Sequence, residues 1–169
     1  LLFALPFALL ANTCLANSKT NSVIKDGVLT IETTNGELGK LYLSVEGREL
    51  IVKESSKLAG GQTQNEGSSD EQRFNFDDFA GGLVLDGANV VVNGIFPKLS
   101  KLSFTTKSLV VANGAFLSAD EVLLDAATLM VKGQVLSQGG EIKLLGTDIF
   151  LQDEALIDAS GIAGGGNIY

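Results

Sequence analysis

Several residue types that commonly carry enzyme chemistry are scarce or missing in this chain. Its 169 residues include no histidine, no tryptophan, one cysteine and two prolines. Without histidine, the chain lacks the side chain that most often serves as a general base or as a metal ligand. Any hydrolytic mechanism would therefore depend on carboxylates. We predict that the protein is not an enzyme and that it uses no cofactor and no metal.

Basic residues are also few, and they form no cluster. Lysine and arginine together number 12 against 20 acidic residues, which gives a net charge of -8. A chain of this charge repels phosphate backbones and anionic lipid surfaces, so nucleic acid is excluded as an expected partner. The sequence also lacks the 3.6-residue apolar period of helices. Its 20 glycines and 45% hydrophobic residues favour many short strands joined by tight turns.

The chain does contain a repeat of about 20 residues, with three apolar marks in each copy. The first marks are Leu102-x-Phe104, Val122-x-Leu124 and Ile142-x-Leu144. The second marks are Leu109–Val111, Leu129–Val131 and Ile149–Leu151. The third marks are Phe116–Ser118, Val135–Ser137 and Leu156–Asp158. Three strands in each such turn predict an all-β fold, a parallel β-helix whose coils bury their inward side chains against one another. Connections between parallel strands are generally right-handed, so we expect a right-handed β-helix.

The repeat predicts a solenoid over residues 81–169. Leu83-x-Leu85 lies one period before Leu102-x-Phe104, and Val90–Gly94 lies one period before Val110–Gly114. After Asp158 a glycine-rich run interrupts the repeat, so the turn from Ile142 to Ile168 is longer than the others. We interpret the run as a loop bulging from one corner. We expect coils to continue past Tyr169 in a longer protein.

Residues 1–16 predict a secretory signal peptide that is truncated at its start. Residues 1–11 are apolar and uncharged, and small residues precede a cleavage site between Ala16 and Asn17. The stretch is shorter than the roughly 20 apolar residues of a membrane span, so the mature chain is expected to have none. The alternative is a buried apolar strand or helix.

Two further segments precede the solenoid. Residues 17–54 alternate apolar and polar side chains and contain turns at Asn35-Gly36 and Glu46-Gly47. They predict a small antiparallel unit of β-hairpins that caps the open end of the first coil. Residues 55–80 are mostly glycine, serine, glutamine and acid, which predicts a polar flexible loop.

An acidic aromatic cluster ends that loop. It consists of Phe74, Phe76, Asp77, Asp78 and Phe79. One interpretation is a contact point for a partner. The interpretation we favour is that the rings dock on the first coil and close its end.

Acidic residues are the remaining candidates for chemistry, because paired carboxylates hydrolyse glycosides. They are Asp77, Asp78, Asp120, Glu121, Asp125, Asp148, Asp153, Glu154 and Asp158. They form no repeated row in the sequence, although Asp120-Glu121 and Gly140-Glu141 both precede the first strand of a coil. The basic residues of the coils form no row either; they are Lys98, Lys101, Lys107, Lys132 and Lys143. We interpret the acids as solvated corners.

The run from Leu156 to Tyr169, LIDASGIAGGGNIY, resembles a segment of large bacterial exoproteins of the filamentous-haemagglutinin type, which include giant surface adhesins. Val135–Gly140 and Leu151–Ala155 are similar to coils of that group. The resemblance covers about half of the chain. It implies a right-handed parallel β-helix exported across both membranes of a Gram-negative bacterium. It also implies a secreted or cell-surface location.

The resemblance implies an adhesin stalk whose distal regions bind a host, a surface or a sister cell, and an outer-membrane secretion partner. The chain contains no Asn-Pro, which the secretion domain of that family carries in an Asn-Pro-Asn-Gly-Ile type of motif. The export route therefore stays open. Two other functions stay open as well: a β-helical hydrolase or lyase acting on polysaccharide, and a purely structural surface-layer component.

Overall fold

The computed structural model describes residues 20–33, 40–55, 71–152, 154–162 and 164–169. The predicted signal peptide, with its cleavage residues Ala16 and Asn17, lies outside the described residues. So do the predicted turn at Asn35-Gly36, residues 56–70 of the predicted loop, and Asp153.

The described residues form fifteen strands, a single 3-10 turn at Phe76–Asp78 and no α-helix. The strands are β1 Thr20–Lys25, β2 Val28–Thr33, β3 Lys40–Glu46, β4 Glu49–Ser55, β5 Glu71–Asn75, β6 Gly82–Val92, β7 Leu99–Val111, β8 Phe116–Val131, β9 Gln134–Leu136, β10 Glu141–Leu145, β11 Asp148–Leu151, β12 Leu156–Asp158, β13 Ser160–Gly161, β14 Gly164–Gly165 and β15 Asn167–Ile168. Within these ranges no helix has the length and apolarity needed to cross a bilayer.

Strands β6 to β12 form a parallel β-solenoid, which confirms the predicted fold. Leu102 in β7 pairs with Leu83 in β6 on one side and with Val122 in β8 on the other, and Ile142 in β10 continues the row. We call this the first face. The second face contains the row through Leu109, and the third face contains β9, β12 and the start of β8. Each long strand β6 to β8 runs around the corner between the first two faces.

The register differs by one position from the motif alignment in the first coil of the second face and on the third face, whereas Leu109, Leu129 and Ile149 pair as predicted. Val90 pairs with Leu109, whereas the repeated Asn-Gly motif predicted Val110. On the third face Leu117 pairs with Val135. Both of these side chains are fully buried. Register follows the side chains that must point inward, because a slip by one position turns the whole apolar set to solvent. The turn-forming Asn-Gly residues can shift by one position.

The predicted cap is a pair of antiparallel hairpins, β1–β2 and β3–β4. Strands β2 and β3 also pair in parallel with β6, through Leu29 with Leu83 and Leu41 with Val90. They therefore take the place of a coil before β6. Gly47 turns the second hairpin with a φ of 60°, at the predicted position. The turn of the first hairpin, Asp26-Gly27, was missed by the sequence reading.

The predicted flexible loop over 55–80 ends earlier than expected. Glu71–Asn75 form strand β5, which pairs antiparallel with β4. Polar side chains do not prevent this, since the strand lies at an edge of the described sheet and its one acid, Glu71, pairs with a cation on the neighbouring strand β4. Lys53 Nζ lies 2.9 Å from Glu71 Oε2. Over Glu71–Asn75, therefore, the polar composition accompanies a regular strand and not the predicted irregular loop.

One continuous apolar core fills the solenoid from cap to last coil. The inward residues of the three faces are almost all fully buried, including Leu83, Phe104, Leu109, Leu124 and Val135. The bulging loop predicted before Asn167 is also present. Ile142 pairs with Ile168, as the longer last turn predicted. The extra residues form a short hairpin, β13–β14.

Candidate functional site

The end of the solenoid that carries β11 and β12 is open, and we call it the terminal edge. Leu129 in β8 is fully buried, whereas its in-register neighbour Ile149 in β11 is 41% exposed. Leu151 is 56% exposed and Leu156 44% exposed. Strand β15 covers β10, but among the described strands β11 pairs with β8 alone. The terminal edge therefore presents an unpaired backbone beside uncovered core side chains, a surface that can template another strand.

The aromatic cluster at the end of the predicted loop is divided by the fold. Phe76 and Phe79 are buried, with ring centroids 5.0 Å apart, and Phe76 lies edge-on to Phe96 at 5.8 Å. Phe74 packs partly buried against the same core. These rings close the first coil, which fits the docking interpretation. Asp77 and Asp78 remain exposed, and Asp77 forms an ion pair with Arg48.

A network of charges surrounds Arg73 on strand β5. Its guanidinium lies 2.6 Å from Glu71, 3.1 Å from Glu49 and 3.4 Å from Glu46. The hydrogen bonds that Arg73 donates to Glu49 and Glu71 raise its pKa, and hydrogen bonds from Lys53 and Arg73 lower the pKa of Glu71. All the groups are exposed, so the network orients β5 on the cap and adds little stability.

Parallel stacking brings two acids together that the sequence leaves apart. Glu121 and Glu141 are in register on adjacent strands, next to Lys101. Glu141 is held by Lys143 at 2.8 Å, and Lys98 holds Asp120 at 2.8 Å. This acid pair lies on an open strand face and has a cation on one member. Glu121 is exposed and Glu141 is half-buried, as on a solvated strand surface.

Asp158 forms a local turn. It accepts a hydrogen bond from the backbone N–H of Ser160 at 2.8 Å. Contacts with the hydroxyl and N–H of Ser160 lower the pKa of this carboxyl. A carboxylate held in the charged form in this way orders the start of the bulge and has no free proton to donate at neutral pH.

The remaining acids are dispersed over the solenoid. Asp125 lies on the first face, Asp148 begins β11 on the second, and Glu154 follows β11 at the corner. Within the ranges that the structure covers, no group of three or more acidic or cysteine side chains is arranged to hold a metal ion.

Two shallow grooves open on the second face. One, of about 360 Å³, lies on the cap beside Tyr42, Lys53 and Val91. The other, of about 510 Å³, lies between Asn113, Lys132 and Gln152. The sequence reading missed both. The sequence does contain a pattern for them, because the outward-facing residues recur with the same period as the inward ones.

Comparison of the chain with protein-family models, with curated proteins and with solved structures finds no match.

Proposed function

We propose that this chain is a segment of the β-helical stalk of a secreted or cell-surface protein, an exoprotein of the filamentous-haemagglutinin type from a Gram-negative bacterium. Its work is mechanical and not catalytic. It holds an attachment region at a distance from the cell. The observation that supports this is the terminal edge, where the core row of Leu129 continues into the exposed Ile149.

The two ends of the solenoid differ in a way that suits a stalk. At one end, hairpins β1–β2 and β3–β4 close the core, and the rings of Phe76 and Phe79 are buried. At the other end, the core side chains are uncovered. Each stacked coil lengthens a solenoid by about 4.8 Å, so coils added at the open end would move a distal region outward while the cap stays in place.

We further propose that the chain is exported and that the longer protein takes part in attachment. The apolar residues 1–11 would direct the chain to the secretory pathway, with cleavage after Ala16. An outer-membrane secretion partner would then pass the chain to the surface. A host, a solid surface or a sister cell would be bound by the distal region, and the coils described here would carry no ligand for it.

The stalk proposal is tested by adding a coil. Tyr169 lies beside Lys143, which pairs with Leu123, so a copy of residues 124–143 appended after Tyr169 continues the register. Covering Ile149 and Leu151 should raise the melting temperature by several degrees and slow hydrogen exchange of the β11 amides. An appended segment of the same composition in scrambled order is the control. If native and scrambled extensions behave alike, the terminal edge does not template coils.

The proposed secreted or cell-surface location is tested in the organism that carries the gene. Antibodies raised against the purified chain should label intact cells or the culture medium, and external protease should remove the cell-bound signal. An antibody against a periplasmic protein serves as the control for cell integrity. Antigen found only inside lysed cells would refute a surface role.

A further inference from the structure

Two Asn-Gly pairs lie in successive coils at the corner where the second face ends. Asn93-Gly94 follows β6, and Asn113-Gly114 follows β7. Both asparagines are exposed, and both glycines have a positive φ, 94° at Gly94 and 77° at Gly114. Glycine adopts this backbone conformation without strain because it has no Cβ. Since the two pairs have the same sequence, a difference in their reactivity must come mainly from their surroundings.

The Asn93-Gly94 peptide is held on several sides. The backbone N–H of Asn93 donates to the carbonyl of Leu43 at 2.8 Å, and the N–H of Phe116 donates to the carbonyl of Gly94 at 3.0 Å. The N–H of Gly94 donates to Oδ1 of Asn93 at 2.8 Å. Val45 also lies close, since a Cβ on Gly94 would be 2.9 Å from the backbone nitrogen of Val45. The orientation of this peptide is therefore fixed.

The Asn113-Gly114 peptide is exposed and loosely held. Residues 112–115 form a turn that is closed by a hydrogen bond from the N–H of Ala115 to the carbonyl of Ala112 at 3.1 Å. Asn113 and Gly114 are the central residues of this turn, so the peptide between them takes no part in that bond. Apart from its chain neighbours, no described residue has an atom within 4 Å of the Cβ position of Gly114. This peptide can therefore rotate in solvent.

An asparagine amide can react with the backbone nitrogen of the next residue. When that nitrogen has lost its proton, it attacks Cγ of the asparagine, and the bond between Cγ and Nδ2 breaks. Nδ2 leaves as ammonia, and a succinimide ring remains. Water then opens the ring at either carbonyl, which gives aspartate or isoaspartate. Glycine in the second position favours the reaction because it has no side chain to hinder the rotation that ring closure requires.

We propose that Asn113 is a site of spontaneous deamidation and that folding protects Asn93 from the same reaction. At Asn113, ring closure needs only the rotation of an exposed peptide. At Asn93, the same rotation breaks the hydrogen bond from Phe116 and moves backbone that packs against Val45, so it requires local opening of the coil. The Gly94 nitrogen also directs its hydrogen, and not an electron pair, at the Asn93 side chain.

The reaction would change the charge of this corner. Asn113 lines the groove of about 510 Å³ together with Lys132 and Glu154. Deamidation would add a carboxylate to that groove and one more negative charge to the net charge of -8. An isoaspartate would also carry the main chain through its side-chain Cβ, which lengthens the turn by one backbone atom. This inference does not depend on the chain being a surface stalk.

Peptide mapping of the full chain tests the proposal. The folded protein is incubated at neutral pH in isotopically labelled water and then digested with trypsin. The peptide of residues 108–132 contains Asn113 as its one asparagine, and the peptide of residues 74–98 contains Asn93. Fragmentation in the mass spectrometer assigns the modified residue. Asn113 should be converted about tenfold or more faster than Asn93, because the hydrogen bonds at Asn93 must break first. The products should be aspartate and isoaspartate with one labelled oxygen.

Incubation in guanidinium chloride supplies the matched control. Unfolding removes the protection of Asn93, so the two sites should then be converted at similar rates. Asn113→Gln should abolish the modification at that position and leave the rate at Asn93 unchanged, because glutamine would have to close a larger ring. Circular dichroism verifies that the chain without denaturant stays folded. Equal rates at the two sites in the folded protein, or an Asn113 that is converted only in guanidinium chloride, would overturn the proposal.

Discussion

The hydroxyl of Thr20 donates a hydrogen bond to Oε2 of Glu54 at 2.9 Å, between positions far apart in sequence. Thr20 begins β1 and Glu54 lies near the end of β4, the outer strands of the two cap hairpins. The other carboxylate oxygen, Oε1, is buried without a partner. The bond therefore joins the hairpins over the end of the core and satisfies half of a carboxylate that has little other support.

Thr20→Val should loosen this junction. Valine keeps the shape of threonine but cannot donate, so the carboxylate loses its partner, and the free energy of unfolding should fall by about 1–2 kcal/mol. Urea denaturation measures the change. Thr30→Val on β2 makes the same chemical change away from Glu54 and should alter stability by less than about 0.5 kcal/mol. Equal effects of the two variants would contradict a role for the bond.

The Phe79 ring should matter for stability and not for recognition. Phe79 is fully buried, so Phe79→Ala should cost about 3–5 kcal/mol of unfolding free energy. Phe150→Ala removes the same ring from a half-exposed site and should cost far less in dilute solution. Both are measured by denaturation at low protein concentration. A stable Phe79→Ala protein would restore the partner-contact interpretation of the acidic aromatic cluster.

Gly140 should tolerate no side chain. A Cβ there would overlap the backbone carbonyl of Asp120 and lie 2.6 Å from Oγ of Ser137, which itself donates to that carbonyl at 2.7 Å. Because the backbone at Asp120 would have to move, Gly140→Ala should lower the free energy of unfolding by about 1–3 kcal/mol or more. Gly165 has no atom within 4 Å of its Cβ position. Gly165→Ala should be neutral or slightly stabilising, and thermal melts of the two variants should separate clearly.

The Arg73 network should make stability depend on acid pH. Hydrogen bonds from Lys53 and Arg73 lower the pKa of Glu71 below its ordinary 4.5. A lowered folded-state pKa means that the contribution to stability is complete above the unfolded pKa and is lost as pH falls through the folded one. Glu71→Gln should therefore be less stable than the parent near neutral pH, and the difference should vanish in acid.

Urea midpoints at about pH 7 and about pH 3 measure that difference on both sides of the carboxyl titration. Glu121→Gln removes the same charge on the first face, away from Lys53 and Arg73, and shows how much of any change comes from net charge alone. A Glu71→Gln deficit that persists unchanged into acid would contradict the assignment.

Local patterns of the sequence determined much of this protein. Alternation around Leu102, Leu109 and their repeats identifies strands, because each inward side chain must be apolar to be buried in the coil stack. The constant period of the repeat then requires parallel stacking. The longer turn from Ile142 to Ile168 also followed from spacing alone, and the structure confirms it.

Only the tertiary structure decided which strands meet and what their outer faces carry. Strand β2 pairs with β6 although β3, β4 and β5 lie between them in sequence. Strand β5 forms because β4 offers it an edge and because Lys53 on β4 neutralises its one acid, Glu71. Neither relation has a local signature, since pairing energy depends on a distant partner. The outward row on the second face, which consists of Tyr42, Val91, Val110, Met130 and Phe150, exists for the same reason. Its members are ordinary outward residues in sequence, and stacking alone makes them one surface.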